Sequence, residues 1–264
     1  MRRIVLFAAF LLILSPLARA EEWSKTYTIT GQPDLRVQTS DATLQVDTWD
    51  QHTIEARVST EGYKIGEHGI QIFEHQTGDM VEIEVRYPYH SFNFDIGSHH
   101  RRVEVVIHMP REGRLNLRTG DGRIRLANFK GEIETRSGDG HQEISSVDGI
   151  LRAHSGDGRI VADGRFDGLD VSSGDGRIEV TARRGSTIAR SWSLRAGDGR
   201  INLLVPEDLA ADVDFHTRDG HLDVDVPVTV TGRMGSKNIH GKMNGGGNLL
   251  TIHTGDGSIR VQRS

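Results

Sequence analysis

One short turn recurs along the chain at a nearly fixed interval. The string SGDGRI, at residues 155–160, returns in closely similar form around other aspartates, and successive aspartates lie 18, 18, 18, 23, 21 and 37 residues apart. The seven aspartates are Asp121, Asp139, Asp157, Asp175, Asp198, Asp219 and Asp256. A period of this size indicates a repeat architecture. We expect the longest gap to hold one degenerate copy around residues 235–239.

Apolar and polar residues alternate on both sides of each aspartate. In one copy Leu151 precedes Asp157 by six residues and Ile160 follows it by three, and most other copies keep this spacing. Such alternation predicts two half-buried strands per repeat. Gln142 is the clear exception at the position three residues after the aspartate. We expect a second turn at the glycines that close the repeats, Gly131, Gly149, Gly168 and Gly185.

Two all-β folds satisfy this pattern. In a parallel β-solenoid each repeat is one coil of about 18 residues, and equivalent strands stack roughly 4.8 Å apart. In an antiparallel meander each Asp-Gly pair would form the centre of a hairpin. A period that preserves residue identity position by position favours the solenoid. Right-handed winding, as in a β-helix, is the default for such parallel connections.

The part of the chain before the regular repeats is also rich in strand patterns. Residues 35–49 repeat the alternation about Asp41, and residues 103–110 form another strand pattern that ends at a proline. We expect residues 21–110 to be the irregular β-rich N-terminal part of the solenoid and to cap it, and residues 111–264 to hold the regular repeats. Together they form one continuous domain, 21–264.

The first twenty residues have the pattern of a secretory signal peptide. Two arginines precede an apolar run, and small residues occupy positions 18 and 20. Removing the three arginines of this segment changes the formal net charge from -5 to -8, which argues against a nucleic-acid binder. The chain has no cysteine, so it has neither disulfides nor a lipoprotein anchor. No second apolar segment follows, and we expect an exported, periplasmic or extracellular protein without a transmembrane segment in the mature chain.

Three stretches together resemble a known family. They are residues 44–58, residues 103–126 and residues 243–261, each a strand pattern around or beside a turn. In this order they resemble the β-strand-repeat family of bacterial exported proteins known as putative adhesins, from about Leu35 to Val261. The resemblance implies a β-helix-like fold and an envelope or extracellular setting. The family has no agreed activity, so the resemblance supplies no catalytic residue, binding residue or cofactor.

In a solenoid the aspartates of successive coils form one exposed column. Neighbouring carboxylates would repel by about 1 kcal/mol in water. Two columns of Arg and His flank the aspartates, at two residues after and three residues before each one, and we expect them to supply the counter-ions. The first column holds Arg123, His141, Arg159, Arg177, Arg200, His221 and Ser258, and the second holds Arg118, Arg136, His154, Ser172, Arg195, His216 and His253.

Three interpretations of this edge remain open. In the first, glycine supplies the positive backbone dihedrals of the turn, aspartate caps the turn amides, and the flanking columns only balance charge. In the second, calcium bridges the aspartates, although the period differs from that of calcium-binding β-rolls. In the third, the edge is an interaction strip for an anionic or hydroxyl-rich polymer such as a cell-surface glycan, or for an envelope protein. Five of the flanking positions are histidines, which gain positive charge as the pH falls from about 7 to about 5. They predict that binding to anionic surfaces becomes tighter over that fall.

One segment outside the repeats carries aromatic residues and histidines. Residues 87–102 contain His90, His99 and His100 beside Asp95. They could supply a metal site, but the spacing better fits a loop that covers the solenoid. We therefore assign no metal site and no cofactor from the sequence.

The sequence favours a non-enzymatic surface or envelope interaction protein. Coils of about 18 residues leave no room for the long loops that form a catalytic groove, and no catalytic motif is present. One alternative is a self-assembling structural element of the envelope, because solenoid ends expose strand edges. The other is a polysaccharide-active β-helix enzyme, which short coils disfavour.

Overall fold

The computed structural model describes residues 21–88, 101–230, 235 and 237–264, and the regular elements in them are all β-strands. The predicted signal peptide therefore lies outside the described residues. In that described part, no helix has the length and apolarity that crossing a membrane requires. The strands are β1 (Glu21–Thr28), β2 (Asp34–Thr39), β3 (Thr43–Trp49), β4 (Thr53–Glu61), β5 (Gln71–Thr77), β6 (Met80–Arg86), β7 (Arg102–Pro110), β8 (Glu112–Arg118), β9 (Ile124–Ala127), β10 (Lys130–Ser137), β11 (Gln142–Ser155), β12 (Ile160–Ser173), β13 (Ile178–Ala182), β14 (Ser191–Ala196), β15 (Ile201–Val205), β16 (Ala211–Thr217), β17 (Leu222–Asp225), β18 (Val228–Val230), β19 (Asn238–Met243), β20 (Leu249–Thr254) and β21 (Ile259–Arg263).

The repeats stack through parallel strand pairing. Before the turn, β8, β10 and the end of β11 run side by side, with Leu115, Ile133 and Leu151 as successive Cα partners. After the turn, Gln142 at the start of β11 pairs with Ile160 at the start of β12. Parallel pairing between residues 18 apart decides against the antiparallel meander. We call each strand–turn–strand unit a rung.

The rungs do not all stack in sequence order. The last rung, β20–β21 with Asp256, lies between the rungs of Asp198 and Asp219, because β20 pairs with both β14 and β16 and β21 pairs with both β15 and β17. At the other end, the rung of Asp41 lies between β6–β7 and the rung of Asp121. The expectation that successive copies stack in chain order is therefore wrong at Asp219 and Asp256.

Antiparallel strands cover the N-terminal end of the stack and the β16 half of its C-terminal end. At the N-terminal end, β4 pairs antiparallel with β7, β1 with β4, and β5 with β6. At the C-terminal end, β19 runs antiparallel to both β16 and β18. The degenerate copy expected around residues 235–239 is thus wrong, since this part of the long gap leads into a cap strand. Caps of this kind limit the exposed strand edge that a parallel stack would otherwise present.

The closing glycines of two repeats lie within continuous strands. Gly149 falls inside β11 and Gly168 inside β12, with a shift of register beside Gly149, so the expected second turn is a bulge there.

The inward side chains of all rungs form one apolar core. Trp192 is fully buried in it, as its position in the pattern predicts, and packs edge-to-face on Phe166 at a centroid distance of 6.3 Å.

Candidate functional site

The repeated turn lies at one corner of every rung and is held by its neighbours' backbone. The amide of Gly138 donates to the carbonyl of Gly120 over 2.6 Å, and the amide of Gly156 donates to the carbonyl of Gly138 over 2.6 Å. The strand ladder therefore continues around the corner. The aspartates stack in register along this corner and form what we call the aspartate ladder. In spatial order it holds Asp41, Asp121, Asp139, Asp157, Asp175, Asp198, Asp256 and Asp219.

Close approach of stacked backbones, and not backbone dihedral, explains the glycine that follows every ladder aspartate except Asp41. Among the described residues, none of the glycines of the repeated turn has a positive φ. A Cβ on Gly140 would lie 1.9 Å from the carbonyl oxygen of Gly122, and one on Gly158 would lie 2.1 Å from that of Gly140. The interpretation that these glycines supply positive dihedrals is wrong. They allow each turn to pack directly on the turn below.

A column of buried hydroxyl groups supports the corner from inside. The Ser155 Oγ donates to the carbonyl of Gly138 over 3.0 Å and accepts the amide hydrogen of Gly158 over 3.0 Å. The Ser173 Oγ donates to the carbonyl of Gly158 over 3.1 Å. These hydroxyls satisfy polar groups that the turn would otherwise bury without partners. The same buried position holds Ser137, Ser155, Ser173, Thr217 and Thr254.

The ladder carboxylates are exposed, and backbone amides of the next rung approach them. The amide of Asp139 lies 3.4 Å from Oδ1 of Asp121, and the amide of Asp175 lies 3.4 Å from Oδ1 of Asp157. Amide hydrogens that point at a carboxylate stabilise its negative charge by hydrogen bonding. The backbone therefore offsets part of the repulsion between stacked aspartates.

The flanking arginines pair with carboxylates on the strands and not with the ladder. Arg159 and Arg177 both reach Glu179, at 2.5 Å and 3.5 Å, and Arg136 lies 2.9 Å from Glu134. The expectation that these columns neutralise the ladder is wrong for most rungs. Within the described ranges, no ion pair involves Asp121, Asp139, Asp157, Asp175 or Asp198.

The other predicted flanking residues also contact polar groups outside the ladder. His141 Nε2 lies 3.2 Å from a Glu143 carboxylate oxygen, and His154 Nδ1 lies 2.7 Å from Ser172 Oγ. The Arg200 guanidinium donates to Ser258 Oγ over 3.1 Å. Arg123 is exposed. The structure thus brings the predicted residues together along one corner, with cations on both sides of the aspartates.

A comparison with family models assigns the repeat region. Residues 111–262 match the Toastrack DUF4097 model. The chain belongs to the Toastrack DUF4097 family. This confirms the resemblance stated from the sequence, although the family match begins at Arg111 and the resemblance was expected to begin near Leu35. DUF4097 is a domain of unknown function.

Solved structures with low sequence identity resemble the Toastrack chain. A putative cell adhesion protein from Clostridium sporogenes is 13% identical, with 93% of this chain and 100% of that chain covered and a TM-score of 0.41. A putative lipid binding protein from Parabacteroides distasonis is 14% identical, with 91% and 96% covered and a TM-score of 0.45. A putative adhesin from Bacteroides fragilis is 11% identical, with 91% and 97% covered and a TM-score of 0.37. No curated protein matches the chain.

The C-terminal end of the Toastrack region has charged partners that the sequence analysis missed. Arg218 lies 2.9 Å from Asp256, and Lys237 lies 2.7 Å from Asp219. The hydrogen bond from Lys237 lowers the pKa of Asp219, and the hydrogen bond to Asp256 raises the pKa of Arg218. A signal was present, because Arg218 replaces the glycine that precedes most ladder aspartates.

Gln142, the exception in the apolar pattern, is fully buried in the Toastrack core. Its amide oxygen accepts the Thr135 hydroxyl over 2.6 Å, and its amide nitrogen donates to Ser137 Oγ over 2.8 Å and to the carbonyl of His154 over 2.7 Å. Gln142, the polar exception in the sequence pattern, therefore belongs to a buried network in which its amide oxygen and nitrogen both have hydrogen-bond partners.

The sequence raised two possible metal sites, one in the aromatic segment of residues 87–102 and one of calcium between the ladder aspartates. His90, Asp95, His99 and His100 of the aromatic segment all lie outside the described residues. Elsewhere along the described chain, no group of three or more His, Asp or Glu side chains is arranged to hold a metal ion.

Proposed function

We propose that the chain is an exported, non-enzymatic, adhesin-like protein that interacts with the cell surface or envelope through its turn edge. The turn edge consists of the aspartate ladder and the Arg and His columns on either side of it. The main support for this proposal is that the ladder continues in register over eight rungs, with its carboxylates exposed. A rigid array of this kind suits a partner with repeated polar groups, such as a cell-surface glycan or an envelope protein.

The charges along the edge support this proposal. Among the described residues, the carboxylates of Asp121 and Asp157 accept hydrogen bonds only from backbone amides, so they keep free acceptor capacity for groups from outside. Arg123 and Arg200 make no ion pair in the described part of the chain, while Arg159 and Arg177 share Glu179. Guanidinium groups that are not saturated can donate paired hydrogen bonds to oxyanions or hydroxyls.

The organisation of the chain completes the proposal. Residues 1–20 form a signal peptide, and the mature chain, 21–264, is one continuous domain of an irregular N-terminal part and regular coils. It is periplasmic or extracellular. The coils wind right-handed, as parallel crossover connections do.

Binding to isolated envelope material tests the turn edge. The mature chain is mixed with envelope fractions, and the retained protein is compared with a charge-reversed Arg123→Glu, Arg159→Glu, Arg177→Glu variant. We expect the variant to lose most of its retention. The matched control reverses Arg57, Arg111 and Arg263, which are equally exposed at sites away from the edge. Equal retention of the wild type and both variants would contradict the proposal.

One observation also favours a second candidate, self-assembly into an envelope element. Of the described strands, β17 pairs only with β21, so its outer edge has no partner among them. Leu222 and Val224 on this strand are only half-buried. Light scattering over a range of concentrations distinguishes the candidates, because growth in mass with concentration indicates assembly.

A further inference from the structure

The outer face of the strands before the turn carries a continuous row of side chains across the rungs. The register of β5, β6, β2 and β8 places Phe73, Glu84, Gln38 and Arg118 opposite one another in that order. β10 continues the row with Arg136. The row joins residues 38 to 136 across strands that are distant in sequence, so the repeat pattern alone does not reveal it.

A groove of about 610 Å³ lies on this face, toward the N-terminal end of the stack. Phe73 lines one part of it, and Arg114, Arg118 and Arg152 line another. Acidic and amide side chains line the space between them, including Glu82, Glu132, Asn116 and Gln38. The groove is separate from the aspartate ladder, which lies at the corner of the rungs.

Arginines exceed carboxylates at the cationic end of the groove. The carboxylate of Glu134 lies 2.9 Å from Arg136 and 3.7 Å from Arg118. Arg152 is the direct Cα partner of Glu134 on the next strand and makes no ion pair within the described residues. Of these residues, the guanidinium groups of Arg118 and Arg152 and the carboxylate of Glu134 line the groove, which leaves one positive charge in excess there. Arg114 has only a long contact, 3.9 Å, to Glu132.

The opposite end of the groove offers an apolar surface. Phe73 is 47% exposed, although large apolar side chains are otherwise mostly buried in the described chain. The Arg86 guanidinium lies 4.6 Å from the centre of its ring on one side. An aromatic ring held in this way presents a flat apolar surface beside polar groups.

We propose that this groove binds an acidic oligosaccharide. Guanidinium groups bind carboxylate or phosphate in paired hydrogen bonds, so Arg118 and Arg152 hold the anionic group of the sugar. Glu132 and Asn116 accept hydrogen bonds from its hydroxyls. Phe73 packs on the apolar face of a further sugar ring. Apart from Arg118, which also belongs to a flanking column of the turn edge, the residues named for this site lie outside that edge.

Calorimetry with defined probes tests the groove on the mature chain. The probes are tetragalacturonic acid, which carries carboxylates, glucose 1-phosphate, which carries a phosphate, and maltotetraose, which is neutral. We expect at least one acidic probe to bind at least tenfold more tightly than maltotetraose at low salt. The probe that binds identifies carboxylate or phosphate as the preferred anion. Failure of both acidic probes to bind would overturn the proposal.

Matched variants distinguish a built site from general attraction between charges. We expect Arg118→Gln with Arg152→Gln to weaken acidic-probe binding at least tenfold, and Arg123→Gln with Arg159→Gln, which removes the same charge from the turn edge, to leave it unchanged. Equal loss in both double variants would refute a specific groove.

Phe73→Ala removes an exposed side chain, so it should leave folding intact. It should weaken the binding of tetragalacturonate more than the binding of monomeric galacturonate. Equal effects on both sugars would show that the aromatic ring is not part of the binding site. Loss of envelope retention with intact oligosaccharide binding, or the reverse, separates the two proposals.

Discussion

The backbone amide of Asp139 lies 3.4 Å from the carboxylate of Asp121 in the neighbouring rung. This contact couples the side chain of one turn to the backbone of the next. It helps to explain how the carboxylates of the central rungs stack along one corner although no ion pair involves them in the described chain. It also leaves the remaining carboxylate lone pairs directed to solvent, where a partner can reach them.

Replacing Gly158 with alanine is expected to destabilise the stack. The new Cβ would lie 2.1 Å from the carbonyl oxygen of Gly140 and 2.6 Å from Ser155 Oγ, so the backbones must move apart. Overpacking of this kind costs about 1–3 kcal/mol. Urea unfolding followed by circular dichroism measures the loss. Gly168→Ala is the control, because the three atoms nearest its Cβ would all belong to the Ile150 side chain, the first at 3.3 Å. Equal loss in both variants would contradict the close-approach explanation.

Removing the buried hydroxyl of Ser155 should lower the free energy of unfolding by about 1–3 kcal/mol. The Gly138 carbonyl and the Gly158 amide would each lose a hydrogen bond, and water cannot reach them to replace it. The measurement is the free energy of unfolding from a urea titration. Ser172→Ala, on the outer face of the next rung, removes a hydroxyl that water can replace and should change stability little. The explanation fails if the two substitutions have the same effect.

The pair of Arg165 and Asp167 predicts acid sensitivity. The hydrogen bond from Arg165, 2.7 Å long, lowers the pKa of Asp167, and Thr187 also donates to that carboxylate. A lowered folded-state pKa gives stability that is present above the unfolded pKa of about 3.9 and is lost as the pH falls toward the folded value. Wild type should therefore be more stable than Asp167→Asn at pH 7, and the difference should shrink below about pH 4. Unfolding titrations at pH 7, 4 and 3 check this, with Asp225→Asn as the control at an exposed carboxylate that forms no ion pair in the described chain. A difference that stays constant with pH would rule the explanation out.

A chain that ends at Asn248 should lose order well beyond the deleted residues. The deleted rung, β20–β21, separates the rungs of Asp198 and Asp219, and β21 is the only described partner of β17. We expect fast hydrogen exchange over residues 211–230 and 238–243 and a lower melting temperature. A chain that ends at Val261, and so keeps almost all of this rung, should retain protection there. Intact protection in the shorter chain would contradict the observed stacking order.

The rung itself could be predicted from the sequence, because the alternation and the Asp-Gly turn are local. The buried positions of Leu151 and Ile160 follow directly from that alternation. The stacking order could not be predicted, since the rung of Asp256 has the same alternation as its neighbours and fits between any two of them. Gln142 was recognisable as an exception, but its partners became visible only after the strands were placed side by side. The row from Phe73 to Arg136 depends on the register of strands distant in sequence, so no local pattern predicts it.

The intercalated terminal rungs bear on how such a chain can change length during evolution. Between residues 111 and 182 the rungs repeat in register every 18 residues, so an internal duplication of that length supplies a unit whose glycine and aspartate already match both neighbours. A rung added after residue 264 would have to enter a stack whose outermost place is already occupied by an earlier segment of the chain. Lengthening therefore requires the fewest compensating changes among these regular rungs, while the antiparallel cap strands keep their places.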